Sequence, residues 1–576
     1  MSLEAIFGIF DLLSGSYVAV VVESEPFVSV SNSNINMRKV KKILVVPLFR
    51  SGRLLSESRQ RDEDRYLQLL HLAFSEHVFF FSPTFDVTLT QQRLAQLSQR
   101  QLIDPIWARA DHRFFWNREV ILDLIACEAD EWIIPFMSAY VEVRPEAVVD
   151  DQKFTLLFIS RRSRYRQGCR FTRRGLDEYG YAANFVETEQ ILIHNDSKIT
   201  SHVQIRGSIP IHWASPVTMK YEPKVFIDEN RVKTNDSAEK HCNDLLGLYG
   251  DKDGKSGIIF INLIDNKKDQ GKLGVAFKET IDEVKKRIDQ NQHPLTYVWF
   301  DFHHETKQKG KYANLSKLVS QIDDKFQSQG FFNKLPNGTV TSWQVGVIRT
   351  NCMDNLDRTN VVQSLFARRS LIMQLGKLSI LKEGLVLDTP WKPFEKIYKC
   401  VWANNADAIS HMYAGTGALK TDFTRTGKRT KITGPMNDGI NSCKRYYINN
   451  FTDGVKQDAI DLMLGNYHPS LNSSSPFTPR PGQESIASNL TKAFVLMMIV
   501  FSTLLLLSPR INILRHFSGE KQDFMDQLHI NFLIAVSITL LLVMYITYVV
   551  VKKGSKIGEN LVVHPMLLHE HIRNTI

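Results

Sequence analysis

The chain has 576 residues, with 71 Lys and Arg against 61 Asp and Glu, and six cysteines. This length excludes a single small core and leaves room for two or three domains. The net charge of +10 suits an anionic partner, whether a lipid surface, a phosphorylated substrate or a nucleic acid. The six cysteines have no paired spacing, which excludes a disulfide framework and indicates a reducing compartment.

The N-terminal region is predicted to be rich in β-strands. Residues 17–22 and 42–48 have strand-like patterns, and 79–81 ends a third strand. The first apolar residues are interrupted by Glu4 and Asp11, where a secretory signal would carry basic residues. We therefore predict no signal peptide.

A strongly basic stretch follows a strand predicted at 154–160. It contains seven arginines and no acidic residue. They are Arg161, Arg162, Arg164, Arg166, Arg170, Arg173 and Arg174. Two interpretations stay open for this stretch: a solvated basic face, or an electrostatic surface for anionic lipid.

The middle of the chain predicts an α/β core. Residues 257–263 and 297–302 look like buried strands, with a helical pattern at 277–288 between them. The acidic and histidine residues at 301–305 are of types that bind metals, but neighbours on a strand point to opposite faces. No second ligand cluster is visible, so no metal site is predicted.

The stretch at 349–360, RTNCMDNLDRTN, is the most informative part of the sequence for function. A strand-like run at 342–348 precedes it, and apolar residues at three- and four-residue spacing after it predict a helix. The loop therefore leads into a helix N-terminus, where backbone N–H groups and the helix dipole can bind phosphate. The same field favours the thiolate form of Cys352, and Arg358 offers a fork for two phosphate oxygens.

The C-terminal part predicts a membrane anchor. Residues 468–491 are rich in Ser and Pro and are predicted to be a flexible linker. The apolar run at 532–551 is long enough to span a bilayer, whereas the run at 493–508 measures only about 24 Å as a helix. A buried or interfacial helix is the alternative for the shorter run. We expect a two-helix hairpin within 492–551, followed by a tail at 552–576.

The loop resembles the signature of the Sac-domain phosphoinositide phosphatases, Arg-x-Asn-Cys-x-Asp-Cys-Leu-Asp-Arg-Thr-Asn. Asn355 stands where the family usually has a second cysteine. Because the loop has no glycine, Asn355 is also the residue best suited to a positive φ angle. Further stretches that are similar to the family are 81–86, 109–114, 180–190, 206–210, 413–430 and 451–467.

This resemblance implies the domain organisation. A β-rich N-terminal subdomain is expected at 1–135, and an α/β catalytic domain with a Cys-x5-Arg phosphate loop at 136–467. The hairpin anchor points to the integral-membrane branch of the family. Family members usually carry more chain before Ile6, so the completeness of the N-terminal subdomain stays open.

The resemblance also assigns roles in the loop. Cys352 is the expected nucleophile, Arg358 and the loop backbone hold the phosphate, and Thr359 is expected to hydrogen-bond the sulfur. The general acid is Asp357 or Asp354, and Asp357 is favoured by its place beside the loop arginine. The expected substrate-binding residues are Met353, Asn355, Leu356, Lys420, Arg425 and Lys428.

The implied function is hydrolysis of phosphatidylinositol 4-phosphate, and of other monophosphorylated phosphoinositides, through a cysteinyl-phosphate and without metal or cofactor. The alternative is a membrane-anchored, phosphoinositide-binding contact-site scaffold with weak catalysis. The implied partners are lipid and membrane, not nucleic acid, and protein partners stay open. The endoplasmic reticulum membrane is expected, with the Golgi as the alternative. A thiolate enzyme needs a reducing compartment, so the catalytic domain and, across a hairpin, the C-terminus are expected in the cytosol.

Overall fold

The protein is described from a computed structural model. It describes residues 3–30, 35–48, 55–195, 197–220, 222–250, 257–288, 294–308, 311–381, 392–419, 421–426, 433–477 and 562–568. The strands are β1 Ala5–Asp11, β2 Ser16–Val30, β3 Ile35–Pro47, β4 Phe79–Phe81, β5 Met137–Val149, β6 Gln152–Arg162, β7 Val186–His194, β8 Lys198–Arg206, β9 Trp213–Ala214, β10 Phe226–Ile227, β11 Ile258–Asn262, β12 Thr296–Trp299, β13 Phe332–Lys334, β14 Val340–Ser342 and β15 Val347–Asn351. The helices are α1 Glu57–Glu76, α2 Gln91–Ala95, α3 Gln99–Ile103, α4 Ile106–Arg109, α5 Leu122–Ala126, α6 Arg231–Tyr249, α7 Lys268–Arg287, α8 Phe302–Lys307, α9 Leu315–Gln329, α10 Asp357–Lys377, α11 Lys392–Ala414, α12 Thr421–Thr426, α13 Thr433–Phe451 and α14 Asp453–Met463.

One mixed sheet runs through most of the described chain. Its order is β1-β2-β3-β4-β5-β6-β7-β8-β15-β11-β12, and β13 pairs with β8 outside this path. Neighbouring strands from β1 to β8 are antiparallel. The strands β8, β15, β11 and β12 are parallel. The sheet therefore changes from antiparallel to parallel at β8.

The parallel part of the sheet is covered by helices on both faces. Phe260 of β11 packs with α6 and α7, whereas Ile259 and Ile261 pack with α9 and α10 on the opposite face. Strands buried on both faces need apolar side chains at every position, which is why β11 reads as the run Ile-Ile-Phe-Ile. The predicted α/β core is confirmed as a mixed α/β sheet.

The N-terminal strands share a core with the C-terminal helix α14. Phe7 of β1 and Tyr66 of α1 belong to the same buried cluster as Ile460 and Met463 of α14. Pairing of β4 with β5 continues the sheet across residue 135. The N-terminal part is therefore packed together with the catalytic part.

Two predicted strands differ from the structure. The run at 342–348 was expected to be one strand, but β14 ends at Ser342 and β15 begins only at Val347, because Gly346 between them has a φ of +100°. The run at 297–302 ends as a strand at Trp299, because Asp301 caps the N-terminus of α8 by accepting a hydrogen bond from the His304 N–H at 2.9 Å. A glycine with positive φ interrupts the first run, and a helix N-cap follows the end of the second.

The described chain packs beyond the predicted end of the catalytic domain. Ser475 donates to the Asp62 carboxylate at 2.7 Å, and the ring of Phe477 lies 4.9 Å from that of Tyr66. The first ten residues of the predicted flexible linker are thus held on α1. In the part of the chain that the structure describes, no helix is long and apolar enough to cross a membrane. Both predicted spans, 493–508 and 532–551, lie outside that part.

Candidate active site

The candidate site lies at the carboxyl ends of three parallel strands. Arg206, the last residue of β8, is in register with Thr350 of β15, and Asn262 of β11 is in register with Asn351. Cys352 follows β15 directly, and α10 begins at Asp357. The predicted order of strand, loop and helix N-terminus is confirmed. In α/β sheets, this edge is where ligands bind.

The loop backbone forms an open cradle. Asn355 has a φ of +54°, as its position in a glycine-free loop suggested. Its side chain is 1% exposed and donates to the Asn184 carbonyl at 3.0 Å. Within the described chain, the backbone N–H groups of residues 353–358 donate no hydrogen bond. These donors are free to bind phosphate oxygens at the positive end of α10.

Arg206 binds the backbone of the loop through its carbonyl groups. Its guanidinium donates to the carbonyls of Asn355 and Leu356 at 2.5 and 2.8 Å. Burial lowers the Arg206 pKa to about 10, and the nearby Cys352 and Asp357 oppose that shift. The two bonds satisfy these loop carbonyls and fix the backbone of the loop at Asn355 and Leu356. Leu356 itself is buried against Tyr413.

Cys352 is a buried residue at the start of the loop. It is 3% exposed and packs with Ile261 and Val362 between β11 and α10. Thr359, also fully buried, has no hydrogen-bond partner for its hydroxyl among the described residues. The expected bond from Thr359 to the sulfur is therefore absent from this conformation.

Arg358 is fixed by a carboxylate from the neighbouring strand end. Its Nη1 lies 3.1 Å from Asp265 Oδ1 and 3.1 Å from the Leu263 carbonyl. His303 Nδ1 lies 2.9 Å from Asp265 Oδ1 on the other side. Burial disfavours the charged form of Asp265, but His303 and Arg358 outweigh it and lower its pKa. His303 thus holds Asp265, and Asp265 holds Nη1 of Arg358, while Nε and Nη2 of Arg358 have no hydrogen bond to a described residue.

Asp354 is clamped by two arginines. Arg170 Nη2 and Arg174 Nη2 lie 2.5 and 2.6 Å from its two carboxylate oxygens. Arg174 also donates to the Met353 carbonyl at 2.9 Å. Burial opposes ionisation of Asp354, yet the two guanidiniums hold its pKa far below the usual range. Asp354 is an ionised structural anchor of the loop at any ordinary pH.

Asp357 has a different environment. Its Oδ1 accepts from the Leu419 N–H at 2.8 Å, and its Oδ2 lies 3.9 Å from Arg445 Nη1. Burial raises the Asp357 pKa, and the distant Arg445 and the single N–H bond offset this only in part. The pKa values of the two loop carboxyls are thus shifted in opposite directions, which is the pattern expected where one of them transfers a proton.

The basic stretch at 161–174 is divided between arginines buried in the fold and arginines that lie at the loop. Arg161 and Arg162 are 0% exposed. Arg161 pairs with Glu187 and Glu189 at 3.3 and 2.8 Å. The two acids that pair with Arg161 come from a different strand, which the residues around Arg161 in the sequence could not reveal. The solvated-face interpretation is therefore wrong for Arg161 and Arg162. Arg170 and Arg174 lie instead at the loop, beside Asp354, and binding of anionic lipid by this part of the stretch stays a prediction.

The loop opens into a cleft of about 560 Å³. Its walls come from the loop, from the stretch at 170–174, from 215–225, from the start of α7 and from α13. The charged side chains that line it are Arg170, Arg174, Lys220, Glu222, Asp265, Lys267, Lys268, Asp269, Asp354, Asp357, Arg358 and Arg445. Seven of these side chains are basic and five are acidic, so the cleft carries a small excess of positive charge, which suits an anionic substrate.

The expected substrate-binding residues are only partly brought together. Met353 lines the cleft, whereas the side chains of Asn355 and Leu356 face inward. Arg425 on α12 pairs with Asp407 of α11 at 2.8 Å and is absent from the cleft walls. The other two residues of that set, Lys420 and Lys428, lie outside the described residues.

Several residues of the site were not identified from the sequence. Asp265 and His303 could have been found from their positions shortly after predicted parallel strands, because polar residues there tend to meet at the ligand-binding edge of the sheet. Arg170 and Arg174 left none, since their partner Asp354 lies about 180 positions away. Arg445 gave no signal either.

Comparisons with known proteins agree with this geometry. Residues 4–307 match the model of the SacI homology domain. The chain is 39% identical over 426 residues to a zebrafish phosphatidylinositol-3-phosphatase SAC1-A, covering 74% of this chain and 69% of the relative. It is 36% identical to the SAC1 phosphatidylinositol-3-phosphatase of Drosophila melanogaster, covering 80% and 74%. It is 35% identical to the phosphoinositide phosphatase SAC6 of Arabidopsis thaliana, covering 87% and 81%.

Proposed function

Because the chain belongs to the Sac-domain family of phosphoinositide phosphatases, we propose that it hydrolyses monophosphorylated phosphoinositides, phosphatidylinositol 4-phosphate above all, through a cysteinyl-phosphate on Cys352. The observation that carries this proposal is the cradle itself. Free N–H groups, a helix N-terminus and Arg358 surround the end of β15, where Cys352 lies. A phosphate bound there would be held by its three equatorial oxygens.

In the first step, Cys352 Sγ attacks phosphorus as the bond to the inositol oxygen breaks. Arg358 and the N–H groups of residues 353–358 stabilise the charge on the equatorial oxygens. Asp357 donates a proton to the departing inositol oxygen. Its raised pKa and its place on the cleft wall support this role. Asp354 is unsuited to it, because two arginines keep that carboxylate ionised.

In the second step, a water molecule attacks the cysteinyl-phosphate. The Asp357 carboxylate accepts the proton of that water, and Cys352 leaves as a thiolate while phosphate is released. The same carboxyl thus acts as acid and then as base. No general acid from a distant loop is required.

We also propose that the predicted hairpin anchors the enzyme in a membrane, that of the endoplasmic reticulum or the Golgi, with the catalytic part in the cytosol. Residues 562–568 support an even number of spans. Val563 N–H donates to the Asn450 carbonyl at 2.8 Å, and Leu567 is buried in the cluster shared by β1 and α14. Chain on either side of 493–551 therefore meets in one packed body, as the two ends of a hairpin allow.

The test is phosphate release by the full chain from phosphatidylinositol 3-, 4- and 5-phosphates and from bisphosphates, with and without a chelator. The family resemblance favours the 4-phosphate, whereas the names of the zebrafish and fly relatives specify the 3-phosphate. We expect monophosphates to be hydrolysed fastest, the 4-phosphate first, and the chelator to have no effect. Binding without release, equal to that of Cys352→Ser, would favour the scaffold instead.

A further inference from the structure

The solvent-facing side of α13 carries a line of exposed apolar residues. Met436, Ile440 and Tyr447 are 57%, 46% and 58% exposed, and Cys443 is exposed between them. Their spacing of four, three and four residues places them in one line along the helix. On an ordinary surface helix these positions carry polar side chains. We name this line, Met436, Ile440, Cys443 and Tyr447, the α13 stripe.

The opposite side of the same helix forms part of the substrate cleft. Arg445, Tyr446 and Asn449 of α13 line it. Arg445 is anchored to Thr416 Oγ1 and Ser410 Oγ, each at 2.8 Å. The helix thus has the cleft on one side and the α13 stripe on the other, and Arg445 fixes its position. A surface that binds the stripe would be close to whatever enters the cleft.

The C-terminal end of α13 also contacts the chain that follows the predicted anchor. Tyr447 and Phe451 have ring centroids 5.1 Å apart, which extends the apolar line to the end of the helix. Val562 packs beside Phe451 in a small cluster with Met219. Ten residues separate Val551, the end of the second predicted span, from Val562. Even fully extended, this connection reaches roughly 40 Å.

We propose that the α13 stripe is a lipid-contacting surface, which dips into the boundary between headgroups and acyl chains of the membrane that holds the substrate. This rests on the proposed function, because a phosphoinositide keeps its acyl chains in the bilayer while its headgroup enters the cleft. Exposed Lys444 next to the stripe matches an anionic lipid surface. Tyrosine prefers such an interface, and Met and Ile supply apolar area.

The first test measures lipid contact directly. Cys443 is labelled with an environment-sensitive fluorophore in a Cys352→Ser and Cys127→Ser background, and the full chain is placed in liposomes whose acyl chains carry bromine. The control carries the label on Cys127, the other exposed cysteine of the described chain, with Cys443→Ser. We expect the bromine to quench the Cys443 label and not the Cys127 label. A Cys443 label that is not quenched would overturn the proposal.

The second test measures the consequence for hydrolysis. Ile440→Asp puts a charge into the stripe, and Ile103→Asp makes the same change at a residue that is 86% exposed elsewhere. We expect Ile440→Asp to slow hydrolysis of lipid in liposomes about tenfold, with Ile103→Asp unchanged. Both variants should keep full activity on a short-chain, water-soluble phosphoinositide.

The outcomes separate this proposal from the proposed function. If the wild type releases no phosphate from either substrate, the proposed function fails while the quenching result still decides lipid contact. If Ile440→Asp is as active as wild type on liposomes, the stripe is not a docking surface for lipid. If Ile440→Asp instead changes only the oligomeric state of the protein, the stripe binds a second copy and the proposal is wrong.

Discussion

Asp354 and Asp357 lie three positions apart in one loop, yet their surroundings shift their pKa values in opposite directions. Asp354 faces Arg170 and Arg174 at hydrogen-bond distance, whereas Asp357 has Arg445 only at 3.9 Å. A charge pair at contact distance is worth far more than one that is longer and partly solvated. Both residues are aspartates, so only their partners distinguish the clamped carboxylate from the one that we propose as the proton donor.

Cys352→Ser should abolish turnover and leave the fold intact. A serine hydroxyl at this position stays protonated and is a far weaker nucleophile than a thiolate. The measurement is phosphate release together with thermal unfolding of the same preparation. Residual activity within tenfold of the wild type would remove Cys352 from the mechanism.

Asp357→Asn should be slow on lipid but much less impaired on an aryl phosphate, whose leaving group needs little protonation. On the lipid, wild-type turnover should fall as pH rises through the raised pKa of Asp357, since only the protonated acid can donate. Turnover is measured for both substrates between pH 4.5 and 8.

Asp354→Asn is the matched control for that prediction. It should impair both substrates alike, because it leaves Arg170 and Arg174 without their anion and loosens the loop. If Asp357→Asn also lost both activities equally, Asp357 would have a structural role. Asp354 would then become the candidate acid.

At the scale of elements, the start of α14 buries a carboxyl that favours its neutral form. Asp453 is 3% exposed, and its Oδ2 has no hydrogen-bond partner among the described residues. Burial raises the Asp453 pKa to about 6, although Lys456 and the Cys169 thiol act in the opposite direction. Since α14 completes the core of the N-terminal strands, its stability affects both parts of the molecule.

Asp453→Asn should therefore stabilise the protein at neutral pH relative to acid pH. A raised folded-state pKa contributes stability below the unfolded value near 4, and that contribution is lost as pH rises through about 6. The neutral amide avoids this loss, which is worth at most about 3 kcal/mol. Thermal unfolding at pH 4.5 and 7.5 measures it. An equal effect of the substitution at both pH values would contradict the prediction.

At the scale of the whole molecule, two connections hold the catalytic part near the predicted anchor. On the N-terminal side the packed chain extends to Phe477, which leaves fifteen residues before the first apolar run at 493. As a flexible coil they span roughly 20 Å and at most about 55 Å. The second connection returns from the anchor to Val562, which is packed against Met219. The described body is itself roughly 60 Å across.

The protein should therefore act chiefly on lipid in its own membrane. Liposomes that carry the full chain, mixed with separate substrate liposomes, should release phosphate far more slowly than liposomes that carry both. The control is the same mixture with the Cys352→Ser protein, which reports background release. Comparable rates in the two arrangements, without tethering or fusion, would refute a preference for the same membrane.

The sequence by itself determined the centre of this protein. The strand, glycine-free loop and helix of residues 347–377 follow from local patterning, and Asn355 adopts the positive φ that its residue type tolerates. These features depend on neighbours a few positions apart. The family and its phosphatase activity followed from the same twelve residues.

The tertiary structure alone decided which charges meet. The arginines at 161–174 looked like one surface, but their partners Asp354, Glu187 and Glu189 come from separate strands and loops. Asp265 reaches Arg358 only because β11 lies beside β15, and His303 reaches Asp265 because β12 lies beside β11. Long-range pairing brings such groups together, and a buried charge is stable only where its partner arrives. For this reason spacing along the chain could identify the loop but not the groups that orient it.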